Sequence, residues 1–277
     1  MAKIAIGQVS PIEQLRERVN MILSKKPLVA ELEQVKSSFQ LTTQTSISDG
    51  CSLCDHGWVE ENGRFRKCVC QEQHALKKRW QRFGVDPDMV KTIKEYAPQT
   101  LEQNDAKSKT ISYLKEFSGQ SSIAFLGQPG AGKTHLSLAI GKALIEQGKS
   151  VLYMPYLEAV RELKSKAMSD ELYNEILNRY VNAKILIIDD LFKDKVKQGN
   201  LVGTLSEADV RHIYPVINQR YINKLPTIFS SECSAKMLLE LDEALGSRIL
   251  EMCKNNICSF SYAAANNYRA GILIGGV

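Results

Sequence analysis

One eight-residue segment constrains the fold of this chain of 277 residues more than any other. Gly127 to Thr134 reads GQPGAGKT, which fits the pattern G-x-x-x-x-G-K-[ST] of a phosphate-binding loop. An apolar segment, SIAFL, precedes it and an amphipathic segment, HLSLAIGKALIEQ, follows, so the loop is predicted to join a strand to a helix. A glycine-rich turn that matches by chance is the alternative, and these flanking segments argue against it.

The residues of this loop have predicted tasks in binding a nucleoside triphosphate. Glycines let the backbone amides turn towards the phosphates, and the N-terminus of a helix attracts anions. Lys133 is expected to reach the β- and γ-phosphates, and the hydroxyl of Thr134 is expected to hold Mg²⁺. The expected ligands are ATP and Mg²⁺. The predicted nucleotide contacts are Gly127, Gln128, Pro129, Gly130, Ala131, Gly132, Lys133, Thr134 and His135.

A second element of the site is the apolar run KILII at 184–188, which ends in Asp189 and Asp190. Asp189 is predicted to bind Mg²⁺, directly or through water, and Asp190 occupies the place of the residue that polarises the attacking water. Glutamate is more usual there. Because aspartate is one methylene shorter, hydrolysis is expected to be slow or to need a partner. The alternative is a strand that ends in an ordinary polar turn.

The order of the remaining segments predicts the fold class. From about Lys107 onwards, apolar strands alternate with amphipathic helices, which predicts an α/β fold with a parallel sheet covered by helices on both faces. The helical pattern from Tyr156 to Tyr180 is expected to break near Ser169, and Ser206 is expected to cap a later helix. The predicted domains are a helical and metal-binding module at 1–83, a linker with short helices at 84–106, and an ATPase domain at 107–277.

Composition and charge narrow the class of protein further. Hydrophobic residues make up 44% and charged residues 24%, as in ordinary globular proteins. No apolar run approaches the roughly 18–20 residues that cross a bilayer, and the first residues lack the pattern of a secretory signal. We therefore expect a cytoplasmic protein with no membrane partner. The net charge of +5 is compatible with nucleic acid but does not require it.

Four of the seven cysteines form two close pairs, C-x2-C and C-x-C, separated by thirteen residues. In a chain with no export signal, metal ligation or burial is preferred to disulfide formation. Two thiolate pairs separated by a short hairpin suit tetrahedral Zn²⁺, which would supply folding energy to so small a segment. Because the C-x-C spacing is less common, His56 and His74 are possible substitutes; the other alternative is four unrelated reduced cysteines. The predicted zinc ligands are Cys51, Cys54, Cys68 and Cys70.

Three segments between Gly84 and Arg269 resemble the AAA+ helicase loaders of the DnaC/DnaI type and the related IstB transposition ATPases. They read GQPGAGKTHLSLAIGKALIEQGKSVLYM, ILIIDDL and INQRYINKLPTIFSSECS. The resemblance implies an AAA+ fold, ATP hydrolysis, self-association through the ATPase domain, and binding to a hexameric replicative helicase and to single-stranded DNA. DnaI-like loaders also carry an N-terminal zinc module that binds the helicase, and residues 1–83 are similar in kind.

The resemblance also implies roles for single residues. Ser230 or Ser231, with Ser231 slightly preferred, matches the first sensor, a polar side chain that contacts the γ-phosphate and the attacking water. The segment LGSRILEMC resembles the one that carries the arginine finger, which places Arg248 at the γ-phosphate of a neighbouring subunit. Arg220 is the competing candidate for this role, and Arg269 is a candidate second sensor.

Two features depart from the family pattern. Glu232 stands where the family usually has asparagine. The insertion DLFKDKVKQGNLVGTLSEADV after the acidic strand is long and polar, and it resembles loaders from phages and prophages of Gram-positive bacteria.

Two basic segments are candidate contacts for single-stranded DNA, through phosphate contacts and base stacking. The first contains Lys77, Lys78, Arg79, Trp80 and Arg82, and the second contains Arg161, Lys164 and Lys166. Each segment also fits an ordinary solvated helix face, and for the first segment this is the preferred interpretation.

The sequence therefore predicts an ATP-dependent helicase loader with slow, partner-stimulated ATPase activity. A transposition helper of the IstB type is the nearest alternative, although such proteins generally lack an N-terminal zinc module. A small-molecule P-loop kinase would need an acceptor pocket and a lid but no arginine from a neighbour. An ATP-binding adaptor without hydrolysis is a third alternative, for which Asp190 gives mild support.

Overall fold

A computed structural model describes residues 51–61 and 63–269 of the chain. The helices predicted within residues 1–45 lie outside this described part. The chain divides into two units, one ending at Gln71 and the other beginning at Glu72.

The strands, numbered in chain order, are β1 Trp58–Glu61, β2 Arg64–Lys67, β3 Ile123–Gly127, β4 Val151–Pro155, β5 Ile185–Leu191, β6 Val196–Lys197, β7 Asn200–Leu201, β8 Thr227–Ser231 and β9 Ile257–Phe260. The α-helices are α1 Val69–Phe83, α2 Leu101–Lys115, α3 Lys133–Glu146, α4 Tyr156–Ser165, α5 Asp170–Val181, α6 Glu207–Ile222, α7 Ala235–Leu241 and α8 Glu243–Cys253. Short 3₁₀ turns lie at Pro87–Met89, Ile93–Glu95, Lys193–Lys195 and Ala264–Asn266.

The smaller unit contains an antiparallel hairpin of β1 and β2, with Trp58 opposite Lys67 and Glu61 opposite Arg64. Among its described side chains, only those of Cys68 and Cys70 are buried. The unit therefore has no hydrophobic core within the residues that the structure describes.

The larger unit is built on a five-stranded sheet in the order β4-β5-β8-β3-β9, in which every neighbouring pair is parallel. Alternate residues of a strand point to opposite faces. Accordingly, Ile123 and Phe125 of β3 belong to one apolar cluster, whereas Ala124 and Leu126 belong to another. Residues of α2 and α3 pack in the first cluster, and residues of α4 to α8 pack in the second. The predicted α/β sheet with helices on both faces is confirmed.

Local signals in the sequence are also confirmed at two helix boundaries. The predicted break near Ser169 is the gap between α4 and α5, and Ser169 is the residue that precedes α5. Ser206 caps α6: its hydroxyl accepts from the amide of Asp209 at 3.1 Å, and the Asp209 carboxylate accepts from the amide of Ser206 at 3.2 Å. This reciprocal pair satisfies amides that the first helical turn leaves free.

Two parts of the chain show detail that the sequence pattern did not provide. Residues 84–106, for which a linker with short helices is predicted, contribute Val90, Tyr96 and Ala106 to the buried core. Val90 and Tyr96 each follow a 3₁₀ turn of three residues, which is too short for a sequence period to reveal burial, and Ala106 lies in α2. The strand β5 also continues beyond Ile188 to Leu191, through an irregularity in its pairing with β8. The domain boundaries at 83 and 107 stay predictions.

No helix in the described ranges has the length and apolar character needed to cross a membrane.

Candidate functional site

The phosphate loop lies between β3 and α3, and two of its glycines are required by geometry. Gly127 has φ 106°, and a Cβ there would lie 2.0 Å from the carbonyl oxygen of Phe260. Gly132, directly before α3, has φ 86°, and a Cβ there would lie 2.4 Å from the ring of Tyr96. The loop is thus packed tightly against β9 and Tyr96. Tyr96 also donates from its hydroxyl to the carbonyl of Ala131 at 2.8 Å.

Lys133 is a buried cation without a direct anionic partner among the described residues. Its side-chain nitrogen donates to the carbonyl oxygens of Gly127 and Gln128, both at 2.8 Å. Burial lowers the pKa of Lys133 to about 8, and the nearby carboxylate of Glu232 partly opposes this shift. A desolvated ammonium that is held only by neutral oxygens is suited to bind an incoming phosphate.

Asp189 is the most completely bonded carboxylate of the site. One oxygen, Oδ1, accepts from the hydroxyl of Thr134 at 3.0 Å and from the hydroxyl of Ser230. The other oxygen, Oδ2, accepts from the hydroxyl of Tyr153 on β4 at 2.9 Å. Hydroxyl and carboxylate oxygens are the ligands that Mg²⁺ prefers, so Thr134 and Asp189 fit the predicted magnesium site. Tyr153 was missed, because its hydroxyl reaches the site only through the pairing of β4 with β5.

The two candidate sensor serines have different surroundings. Ser230 donates to Asp189 and accepts from the backbone amide of Asp190 at 3.0 Å. Ser231 instead donates to the carbonyl of Leu191 at 2.6 Å and accepts from the amide of Cys233 at 3.0 Å. The structure therefore brings Ser230, and not the preferred Ser231, to the acidic cluster. Neighbouring residues of a strand point to opposite faces, so only one of the two can reach it.

Asp190 lies beside a lysine that sequence reasoning did not single out. Lys193 donates to Oδ2 of Asp190 at 2.5 Å and lies 3.8 Å from Oε1 of Glu232. Burial alone would lower the pKa of Lys193, but the bond to Asp190 raises it above its usual value. Lys193 lies just after the end of β5. The path of the chain between Asp190 and Lys193 depends on the left-handed backbone of Asp190 (φ 56°) and Phe192 (φ 58°).

A cavity of about 700 Å³ opens in front of these groups. Lys133, Thr134, Asp190, Lys193 and Glu232 lie on its wall. Arg269, the candidate second sensor, also lines it. His135 is part of the wall, and its Nε2 donates to the carbonyl of Thr92 at 2.9 Å, so this ring nitrogen holds the wall together. The remaining lining residues are Lys91, Glu95, Tyr96, Ala97, Gln99, Pro129, Gly130, Gly132 and Tyr268.

Arg220 is fully buried, which rules it out as an arginine finger. Its guanidinium donates to the hydroxyl of Thr227 at 2.9 Å and to four backbone carbonyl oxygens. Those carbonyls belong to Tyr180, Val181, Ala183 and Pro226, at 2.7 to 3.2 Å. Burial lowers the pKa of Arg220 to about 9. The side chain ties α6 to the strands within its own subunit and cannot reach a neighbour.

Arg248, on α8, lies partly exposed outside the cavity. Its Nε donates to Asn218 at 3.0 Å, and its guanidinium lies over the rings of Tyr214 and Tyr221, at 5.4 and 5.7 Å. Arg248 is not among the residues that line the cavity, and its side chain is partly exposed. The assignment of the finger to Arg248 stays a prediction.

The four cysteines predicted as zinc ligands meet in the smaller unit. Their sulfur atoms all lie within 4.8 Å of one another, with Cys51–Cys68 at 3.8 Å and Cys54–Cys70 at 3.4 Å. Zn–S bonds of about 2.3 Å in a tetrahedron place the sulfurs about 3.8 Å apart, so the donor set and the spacing fit Zn²⁺. The backbone amide of Cys70 lowers the pKa of the Cys68 thiol to about 7, whereas burial raises the pKa of the Cys54 thiol and raises that of the Cys70 thiol to about 12.

The histidines do not belong to this group of ligating atoms. His56 is exposed, and its Nδ1 lies 2.5 Å from a carboxylate oxygen of Asp55. His74 is exposed on α1. Among the described residues, the candidate ligand group therefore consists of the four predicted cysteines, without a histidine.

The basic segments are only partly available to a nucleic acid. Lys77 and Lys78 are exposed, but Trp80 is half-buried with its ring 5.6 Å from that of Phe83, so it packs on the core. Lys164 pairs with the buried carboxylate of Asp209 at 2.8 Å. Arg161 and Lys166 are exposed.

Comparisons with known proteins identify a matching family and several relatives of this chain. The family model described as IstB-like ATP binding protein matches residues 65–252. The phage-like element PBSX protein XkdC of Bacillus subtilis is 36% identical over 278 residues, covering 95% of this chain and 96% of that protein. The replicative helicase loader DnaC of Escherichia coli K12 is 28% identical over 200 residues, covering 70% of this chain and 77% of that protein. The crystal structure of the DnaC helicase loader matches with a TM-score of 0.53 and 24% identity, covering 66% of this chain and 99% of that one. That structural likeness confirms the AAA+ fold.

Proposed function

Since the chain belongs to the family of IstB-like ATP binding proteins, we propose that it is a loader that uses ATP to place a replicative DNA helicase on single-stranded DNA. Binding of ATP is the property of the family. The proposal adds four properties to ATP binding: hydrolysis of ATP, assembly with further copies of the chain, contact with the helicase and contact with DNA. Sequence similarity to DnaC of Escherichia coli over 70% of the chain supports the choice of client.

The observation that carries the proposal is the contact between Thr134 and Asp189 at the carboxyl end of the parallel sheet. The two side chains lie 3.0 Å apart, at the start of α3 and near the end of β5. Ligands bind at this edge of open α/β sheets, and a hydroxyl and a carboxylate beside the phosphate loop are suitable oxygen ligands for Mg²⁺, which supports the proposal. When bound there, Mg²⁺ would offset the charge of the phosphates.

The chain's own residues then have distinct tasks around the nucleotide. Lys133 neutralises phosphate charge, while Tyr153 and Ser230 fix the orientation of Asp189. Asp190 faces the cavity and takes the proton of the attacking water. Arg248 of an adjacent subunit stabilises the charge of the transition state. ATP binding thereby closes the interface between subunits and hydrolysis releases it.

We assign the contact with the helicase to residues 1–83, with zinc held by the four clustered cysteines. Their sulfur positions support this metal. The exposed Arg161 and Lys166 on and after α4 are the candidates for contacts with DNA phosphates. A protein that works on DNA and the replicative helicase would act in the cytoplasm.

The alternative to a helicase loader is a transposition helper, which would use the same ATPase domain; the name of the family suggests this role. It differs from a loader in its client protein. A kinase of small molecules is a less suitable alternative, because similarity to the replicative helicase loader DnaC covers 70% of this chain.

Co-purification with the replicative helicase of the host tests the proposal. Wild type, Lys133→Ala and the control Lys149→Ala are compared with and without ATP. Lys149 is exposed beyond the end of α3 and should not affect the nucleotide. We expect a complex that requires residues 1–75 and whose release responds to ATP in the wild type and the control but not in Lys133→Ala.

Absence of a complex under every nucleotide condition, from a protein that hydrolyses ATP, would contradict the role as helicase loader. A transposase in the same assay then tests the alternative. Turnover of a small acceptor by the monomer would instead indicate a kinase.

A further inference from the structure

We propose that Lys193 and Glu232 form a positioning pair that holds the carboxylate of Asp190 in place for the attacking water. The inference rests on ATP hydrolysis, which is part of the proposed function, and it identifies two residues that no motif assigns to this reaction. Both line the cavity in front of the phosphate loop.

The backbone of Asp190 is held in an unusual conformation. Its φ of 56° lies in the left-handed region, which residues with a Cβ seldom adopt. Its amide donates to Ser230 at 3.0 Å, and Ser230 in turn donates to Asp189. Such conformations persist where the surrounding contacts determine them, and they occur often at active sites. The backbone of Asp190 is therefore tied to the group that would hold Mg²⁺.

The side chain of Asp190 is fixed at one oxygen only. Lys193 donates to Oδ2 at 2.5 Å, and Oδ1 has no partner among the described residues. The ammonium group thus anchors one oxygen and leaves the other free to accept from water. An aspartate side chain is short, so the rate of ATP hydrolysis should depend strongly on how the carboxylate of Asp190 is oriented.

Glu232 forms a second, longer ion pair with Lys193. Its Oε1 lies 3.8 Å from Nζ of Lys193, and its side chain is 15% exposed. The backbone carbonyl of Glu232 accepts from the hydroxyl of Tyr262, which fixes this residue at the end of β8. The carboxylate of Glu232 therefore supplies a second negative charge beside the ammonium group of Lys193.

The reaction assigns separate tasks to these groups. The oxygen of water forms a bond to the γ-phosphorus, while the bond from that phosphorus to the β–γ bridging oxygen breaks and its electron pair stays on departing ADP. The proton lost by water passes to Oδ1 of Asp190 and then to solvent. Lys193 and Glu232 touch neither water nor phosphate in this step, so they act through Asp190 as positioning residues.

The test compares ATP hydrolysis by Lys193→Met, Lys193→Arg and the control Lys197→Met. Lys197 is an exposed lysine of the same insertion. We expect Lys193→Met to lower kcat by about 10- to 100-fold, since misplacement of a catalytic group by about 1 Å can cost about 100-fold. Lys193→Arg keeps the charge and should recover most of the rate, and Lys197→Met should match the wild type. Affinity for a non-hydrolysable ATP analogue and Tm should not change in any of the three variants.

A second comparison tests whether the two residues act as a unit. Glu232→Gln should lower kcat by about 3-fold, and the double variant with Lys193→Met should be no slower than Lys193→Met alone. If the two reductions in kcat multiply in the double variant, Lys193 and Glu232 act independently and the proposed pair is overturned. An unchanged or raised kcat in Lys193→Met, or no recovery in Lys193→Arg, would overturn the positioning role.

Complex formation with the helicase is measured in the same variants and should not change. A wild type that hydrolyses no ATP, alone or with helicase and DNA, overturns the positioning role but leaves helicase binding intact. If the protein hydrolyses ATP normally but forms no complex with the helicase, the loader proposal fails and the positioning role of Lys193 and Glu232 is unaffected.

Discussion

The two units of this chain are stabilised in different ways. The larger unit buries an apolar cluster on each face of its sheet, with strands such as β3 buried at every position. In the smaller unit, Leu53 and Phe65 are 76% and 71% exposed, and the buried described side chains are cysteines. A segment this short cannot bury enough apolar surface to fold by itself. The comparison teaches that apolar burial stabilises the larger unit, whereas the smaller unit lacks this source of stability and is expected to depend on the proposed metal site.

The largest effect should come from removing zinc. A chelator should abolish protection from hydrogen exchange across residues 51–71, because metal binding at such sites contributes about 10–16 kcal/mol. The larger unit should keep its Tm and its affinity for ATP. The measurement is hydrogen exchange followed by mass spectrometry, together with the zinc content of the purified chain. Protection that survives in zinc-free protein would show that the hairpin does not depend on metal.

Arg220→Met should destabilise the larger unit by about 3 kcal/mol or more, because it leaves buried carbonyl oxygens without donors. The matched control is Arg248→Met, since Arg248 is partly exposed and should change stability by less than about 1 kcal/mol. Urea unfolding of the zinc-loaded proteins measures both. If the two variants are equally stable, the polar contacts of Arg220 do not support the core in the way described.

Asp209 should make the stability of the larger unit depend on acid. Burial alone would raise the pKa of Asp209, but bonds from Lys164, Lys195 and Ser206 hold it well below its usual value. Since the folded pKa is the lower one, this stabilisation is fully present above the unfolded pKa of about 3.9 and is lost as pH falls towards the folded value.

Asp209→Asn should therefore cost about 2 kcal/mol near neutral pH and progressively less in acid. Urea unfolding at several pH values, followed by a signal from the larger unit, checks this difference. A constant difference between variant and wild type across the acid range would mean that the ion pairs do not contribute to the acid dependence.

The smallest effect separates the two serines at the end of β8. Ser231→Ala should lower stability by about 1 kcal/mol, since it loses bonds to Leu191 and Cys233, with hydrolysis little changed. Ser230→Ala should lower hydrolysis, because Asp189 loses a bond that fixes its orientation. Unfolding and ATPase assays on both variants separate the roles. The reverse pattern would restore the sequence-based preference for Ser231 as sensor.

Much of the site could be predicted from the sequence because its chemistry is local. The phosphate loop needs glycines at fixed spacing, and an acidic pair after an apolar strand needs no tertiary information to be noticed. The four cysteines are close in sequence, so their meeting required only a hairpin. By contrast, no motif singles out the side chains of Tyr153 and Lys193, and their relevance appears only when strands and turns are placed in space.

The sequence by itself determined the α/β class, the phosphate loop, Asp189 and the cysteine cluster, because each depends on residue type and short spacing. The tertiary structure decided which serine reaches Asp189, since β8 is buried on both faces and shows no alternation that would distinguish Ser230 from Ser231. It also decided that Arg220 supports the core while Arg248 stays near the surface. Burial of a charged side chain depends on distant carbonyl groups, and no local pattern records where those groups lie.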